Sequence, residues 1–233
     1  MRQHFLAVAF FGSFLLNAAV FAAPPLENIP LQWKPTSVFS EMGTLDLSGA
    51  VVTTKIRFDP LVDARQDPAR VAENREKAQV RPMTTSTDVA VFLTDHLKST
   101  LRSAGLNIVD GDADISVSGD IRKFFVTEDS TYNGEISLMI HVKDRSGKEL
   151  WSGIVNGEAT RWGRSYKAEN YFEVMSDMTL RAAFNLLSSD GFHAALAAPR
   201  ERSMISTMSA RKVSPRKVLP TRAKRAAPSV ASQ

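Results

Sequence analysis

Three stretches of alternating apolar residues in direct succession constrain this chain more than anything else in it. Ile115, Val117, Gly119 and Ile121 alternate, then Tyr132, Gly134, Ile136, Leu138, Ile140 and Val142, then Trp151, Gly153, Val155, Gly157 and Ala159. A period of two places every second side chain on one face, so each stretch predicts a strand. The joins are short. One lies around Glu128 to Thr131, and the other, Asp144 to Lys148, holds Ser146-Gly147, where glycine supplies the positive φ of a hairpin turn. The alternate positions, among them Glu135, Ser137, His141 and Lys143, are polar, so one face of this meander is expected to be wetter than the other.

Two amphipathic helices flank the meander. Asp88 follows a Thr/Ser run and can accept from the first free N–H groups of a helix whose apolar positions are Val89, Phe92, Leu93, Leu97, Leu101 and Ala104, with Gly105 at its end. The second is expected from Glu169 to Ser188, with Tyr171, Val174, Met175, Met178, Ala182 and Leu186 in one stripe, Phe172, Ala183 and Leu187 widening it, and Asp190-Gly191 closing it. Residues 45–58 mix β-branched side chains with partial alternation and predict a first strand. Residues 59–87 are polar and proline-bearing and predict a long loop containing at most a short helical piece. Together these predict an α+β fold of order β-α-β-β-β-α, a two-layer sandwich with a mostly antiparallel sheet of four to five strands and two helices on one face.

The two ends of the chain differ from this middle. Residues 1–22 begin with Arg2, continue as an apolar run from Phe5 to about Phe21 and offer Val20 and Ala22 as a small-x-small cleavage site, the layout of a secretory signal. Ser13, Asn17 and Pro24-Pro25 weigh against an uncleaved anchor. Residues 23–44 are an N-terminal extension, and 45–192 the folded domain. From 193 the chain is expected to be a disordered basic tail; residues 200–233 hold nine Arg or Lys against one Glu, which leaves the preceding 199 residues at −4 although the whole chain is +4. Such a tail fits an anionic target: the inner leaflet of the outer membrane, a cell-wall polymer or an acidic envelope protein. Nucleic acid, the usual reading of a basic tail, is opposed by export.

No cysteine occurs, which removes thiol nucleophiles, thiolate metal sites, disulfides and cysteine-linked lipid in one step. G-x-S-x-G, H-E-x-x-H, Walker and G-x-G-x-x-G motifs are also missing, and nothing points to a cofactor. His96, at the edge of the first helix's apolar face, reads as a packing histidine rather than a ligand. Asp59 and Asp63 with Arg65 are the nearest thing to a polar cluster, and a loop ion pair explains them as well. The connection from the last strand to the last helix holds the candidate partner-binding residues Arg161, Trp162, Arg164 and Tyr166. The same stretch can be read as a joint, in which Gly163 makes the turn and Tyr166 and Tyr171 pack on the sheet edge with their hydroxyls outward.

The run DRSGKELWSGIVNGEATRWGRSYKAENYFEVMSDMTLRAAFNLL, residues 144–187, together with DPLVDAR and DVAVFLTDHLKSTLRSAGL upstream, resembles the YajG-like family of uncharacterised envelope lipoproteins of Gram-negative bacteria. The resemblance implies a small α/β envelope protein, akin to auxiliary lipoproteins of transport systems, with no catalytic residue to carry over. One departure is that family members are commonly anchored through a cysteine, which this chain lacks. The sequence therefore predicts a non-catalytic periplasmic binding or scaffold protein, an accessory of a transport or lipid-handling system. The alternative is an enzyme acting on a cell-wall or lipid substrate.

Overall fold

Strands β5 (Ile115–Glu128), β6 (Thr131–Asp144) and β7 (Glu149–Trp162) form the expected meander, each fourteen residues long and paired antiparallel along nearly its whole length. At about 3.3 Å per residue, each spans roughly 45 Å, so the sheet has two well-separated ends. The computed structural model describes residues 24–45, 47 and 50–198. The expected signal segment and the tail from residue 199 onward lie outside the described residues. The period-two reading holds in detail: Tyr132, Ile136, Leu138, Ile140 and Val142 are buried, while Glu135 on the opposite face is exposed.

The N-terminal half departs from expectation. Residues 45–58 are not one strand, because Ala50–Thr53 form a helical turn, α1, and only Ile56–Phe58 are extended, as β1. Residues 59–87 are not a loop, and contribute β2 (Val62–Asp63), β3 (Arg70–Asn74) and β4 (Arg81–Thr84). The mixed sheet of this α+β fold therefore has seven strands, not four to five, in the order β4-β3-β5-β6-β7 with β1 and β2 also on β5. The physical reason is nonlocal. β1, β2 and β3 pair parallel with successive parts of β5, at Ile115–Val117, Asp120–Ile121 and Val126–Glu128, so the long strand supplies the hydrogen bonds that organise segments too short to show a period.

Helix α2 (Val89–Ser103) starts where expected: Asp88 accepts from the N–H of Ala90 at 2.8 Å and of Val91 at 3.1 Å, and Gly105 follows its end with φ +103°. Phe92 of α2 meets Phe124 of β5 on the buried side of the sheet. Helix α3 (Ala168–Leu187) lies on the same side, against β6 and β7, and Gly157 makes its close approach possible, since a Cβ there would sit 2.1 Å from the Met178 carbonyl oxygen. Ser176 and Thr179, buried in α3, donate back to the carbonyls of Phe172 and Met175 at 2.8 and 2.7 Å, which satisfies their hydroxyls inside the core. Beyond α3 the chain is helical again over 190–198; Asp190-Gly191 does not end the packed structure, because Phe192 meets Trp151 at 5.9 Å and Leu196 is buried. The packed body thus extends beyond residue 192.

Residues 24–37 run along the body as a strap. Leu26 donates its N–H to the Tyr166 hydroxyl at 3.2 Å, Lys34 to Ser176 Oγ at 2.9 Å, and Thr36 and Ser37 to Asp177 Oδ1 at 2.8 Å each. The strap also settles His96: its ring stacks on Trp33 at 4.2 Å and meets Phe92 edge-on at 4.6 Å, and burial holds the imidazole below its usual pKa against a weaker opposing pull from Asp95.

Candidate functional site

The strand-to-helix connection sits at the end of the sheet where β5 finishes, β6 begins and α3 starts, and it divides the four predicted residues. Tyr166 is structural. It is 6 % exposed, adopts φ +44°, and is held there from three sides: its N–H donates to Glu128 Oε1 at 3.0 Å, its hydroxyl donates to the Pro82 carbonyl at 2.9 Å, and the Arg81 guanidinium lies 3.5 Å from its ring centre. The tyrosine hydroxyls therefore point inward rather than outward. Tyr171 donates to Glu128 Oε2 at 2.5 Å, and burial, followed by the Glu128 bond and charge, pushes its phenol far above the ordinary value. A fully buried carboxylate is costly unless its oxygens are hydrogen-bonded, and Glu128 has both of them bonded here.

Arg161 is also engaged. Its guanidinium donates to Asn170 and lies 2.5 Å from Glu173, a charge-to-charge contact without the alignment of a hydrogen bond, and so ties β7 to the first two turns of α3. Trp162 and Arg164 remain outward. Trp162 is 82 % exposed, and the Arg164 side chain, 67 % exposed, has among the described residues only a long contact of 3.5 Å with Glu76. Gly163 between them has φ +153° and would place a Cβ 3.2 Å from the Tyr132 ring, which fits a turn wedged against that ring. The joint and the outward surface thus coexist in one hexapeptide with different residues in each.

The Asp59–Asp63–Arg65 cluster separates. Asp59 pairs with Arg57 at 2.7 Å, while Asp63 receives Arg65 Nε at 2.9 Å and Nη2 at 2.7 Å. Arg65, with a side chain only 8 % exposed, also donates to the carbonyls of Pro68, Arg70 and Phe124, and so staples the β2–β3 segment onto β5. Burial by itself raises the Asp63 carboxyl, but the hydrogen bonds from Arg65 outweigh it and hold the group below the usual carboxylate range. A carboxylate whose folded pKa lies below its unfolded value of about 3.9 stabilises the fold above that pH and loses the contribution as pH falls toward the folded pKa. Unfolding free energy followed by circular dichroism is therefore expected to fall more steeply with pH below about 4 in the parent than in Asp63→Asn, which has no carboxyl there to protonate.

Sequence reasoning missed a cleft beside this staple. It has a volume of about 300 Å³ and is lined by Arg65, Asp67, Arg70, Glu73, Arg75, Arg122, Lys123, Phe124 and Phe125. A bulge in β5 between Ile121 and Lys123 turns both Arg122 and Lys123 outward. Glu73, nearly buried, holds Arg70 and Arg75 together. The one local signal was the pair Arg122-Lys123, which interrupts the alternation that runs from Ile115 to Ile121.

Exposed aromatic and cationic side chains at the end of a mixed sheet, a charged cleft on its flank and a strapped helical layer define a small α+β protein with two polar surfaces. A family model described as "Uncharacterized lipoprotein" matches residues 61–190, more than half of the chain, and the chain belongs to that family. This agrees with the YajG-like resemblance and associates the protein with the cell envelope. No curated protein matches. Among solved structures, a protein from Xanthomonas campestris shares 13 % identity with a TM-score of 0.49, covering 78 % of this chain and 98 % of that one. A minor lipoprotein from Acinetobacter baumannii shares 9 % with a TM-score of 0.34, covering 59 % and 94 %. A PelC dodecamer from Paraburkholderia phytofirmans shares 14 % with a TM-score of 0.35, covering 60 % and 94 %. Likeness at this level carries no argument about activity. Among the described residues no helix is long and apolar enough to cross a membrane.

Proposed function

We propose that the protein is a non-catalytic binding or scaffold component of the periplasmic side of the envelope, an accessory of a transport or lipid-handling system. The observation that carries this reading is the outward pair Trp162 and Arg164, exposed on a joint whose other residues are spent on holding the fold. An indole and a guanidinium presented on a fixed turn suit an acidic envelope partner, because Trp and Arg are the side chains that most often anchor protein interfaces. The basic tail adds a second, sequence-encoded attraction to the anionic inner leaflet of the outer membrane or to cell-wall polymer.

The split of the hexapeptide sharpens the test. Trp162→Ala and Arg164→Ala are each expected to change unfolding free energy by less than ~0.5 kcal/mol, as surface substitutions do, while the partner recovered by crosslinking in whole cells disappears. Arg161→Ala is expected to destabilise the fold, since it removes a tie to α3. Undiminished crosslinking in both the Trp162 and the Arg164 variants would defeat this assignment of the docking surface.

A further inference from the structure

The flank cleft carries a separate inference. Five cationic side chains line it against two carboxylates, Asp67 and Glu73. Arg65 is committed to Asp63 and three backbone carbonyls, so the available cations are Arg70, Arg75, Arg122 and Lys123. Two of them are lightly held: Arg122 pairs with Asp120 at 2.9 Å and Lys123 with Glu135, and in both pairs the two side chains are substantially exposed. Exposed pairs of this kind contribute little and exchange readily for a better acceptor. The other two are fixed in place by the nearly buried Glu73, and the Arg70 guanidinium lies 5.9 Å from the Phe125 ring centre. Arg70 Nε is buried and has no acceptor among the described residues.

We infer that this cleft is a binding site for a phosphate group. A further carboxylate would only repeat what Glu73 already does for Arg70 and Arg75. A phosphate presents three acceptor oxygens and up to two charges, and so can engage the Arg70 fork, Arg122 and Lys123 together. Phe125 gives the cleft an apolar floor, and its volume lies at the small end of ligand pockets, which suits a headgroup or a small phosphate ester rather than a polymer. The β5 bulge is what converges the site, since without it Arg122 and Lys123 would point to opposite faces of the strand.

Two sources share this chemistry, a free phosphate and a phospholipid headgroup, and two probes separate them. The full chain is titrated with inorganic phosphate at low ionic strength by calorimetry, and floated with vesicles of phosphatidic acid diluted into phosphatidylcholine. The double variant Arg122→Ala/Lys123→Ala, whose side chains are exposed and whose melting temperature should match the parent, is compared with it, as is Arg70→Lys, which keeps the charge and loses the fork. The basic tail is identical in all chains, so the difference between them reports the cleft. Binding weakened about tenfold or more in the double variant, and also in Arg70→Lys, supports the site. Weakening toward inorganic phosphate assigns a free phosphate, and weakening toward vesicles alone assigns a lipid headgroup. Equal binding by parent and double variant to both probes, or no binding by the parent to either, overturns it.

Discussion

Gly157→Ala is expected to lower the unfolding free energy by about 3 kcal/mol, measured by urea denaturation, and to loosen α3 from β7. The added methyl would lie 2.1 Å from the Met178 carbonyl oxygen, 2.6 Å from the Ala182 nitrogen and 3.0 Å from its Cβ. Two of those three neighbours are helix backbone, which cannot turn aside as a side-chain tip can, so either the helix lifts or the strand bends. Gly111→Ala is the control. Nothing lies within 4 Å of a Cβ at that position, and its effect should stay within ~0.5 kcal/mol. Equal stability of the two variants would show that the helix does not sit on β7 as closely as described.

The second large effect is expected at Tyr171. Its ring is fully buried, edge-on to Tyr132 at 5.0 Å and to Tyr166 at 6.3 Å, and Tyr171→Ala should cost ~3–5 kcal/mol from lost packing and the void left behind. Tyr171→Phe isolates the hydroxyl. It keeps the ring and strips Glu128 of one of its two described bonds, leaving a buried carboxylate oxygen unsatisfied at a cost of ~1–3 kcal/mol. Because burial and the neighbouring Glu128 push the phenol far above its ordinary pKa, Tyr171 stays a neutral donor throughout the range in which the protein is folded, and its absorbance should not titrate before alkaline unfolding. A Tyr171→Phe variant as stable as the parent would mean that Glu128 does not depend on this bond.

The Tyr171 effect arises at the end of the sheet where β5 finishes and α3 starts, and the hexapeptide from Arg161 to Tyr166 belongs to the same place. Its double character was half legible beforehand: glycine at a strand-to-helix turn and tyrosine beside it indicated a joint, and arginine and tryptophan indicated a surface. Which arginine was the more exposed could not be read, because Arg161 and Arg164 are alike in sequence and differ in their partners: Asn170 and Glu173 of α3 for Arg161, the more distant Glu76 for Arg164. Tyr166 changed role for the same reason: its partners Glu128, Pro82 and Leu26 are 38, 84 and 140 positions away.

What the sequence determined by itself was the set of elements whose periodicity is long enough to stand without help. Strands β6 and β7 repeat their period many times over, β5 does so from Ile115 to Ile121 before its bulge, α2 carries its own Asp88 start and Gly105 end, and α3 carries a broad apolar stripe, so local spacing alone specified the buried face of each of these stretches. The absence of cysteine and the charge of the tail were equally plain. Only the tertiary structure decided the rest. Strands β1 to β4 have two to five residues each, too few for a pattern, and are extended because β5 and then β3 offer them unpaired backbone groups. The cleft gathers Arg70 and Arg75 from one such strand region and Arg122 and Lys123 from a bulge some fifty positions later. Alternation records burial along one strand; it holds no record of which other strand lies alongside, and pairing of that kind is set by long-range closure of the sheet.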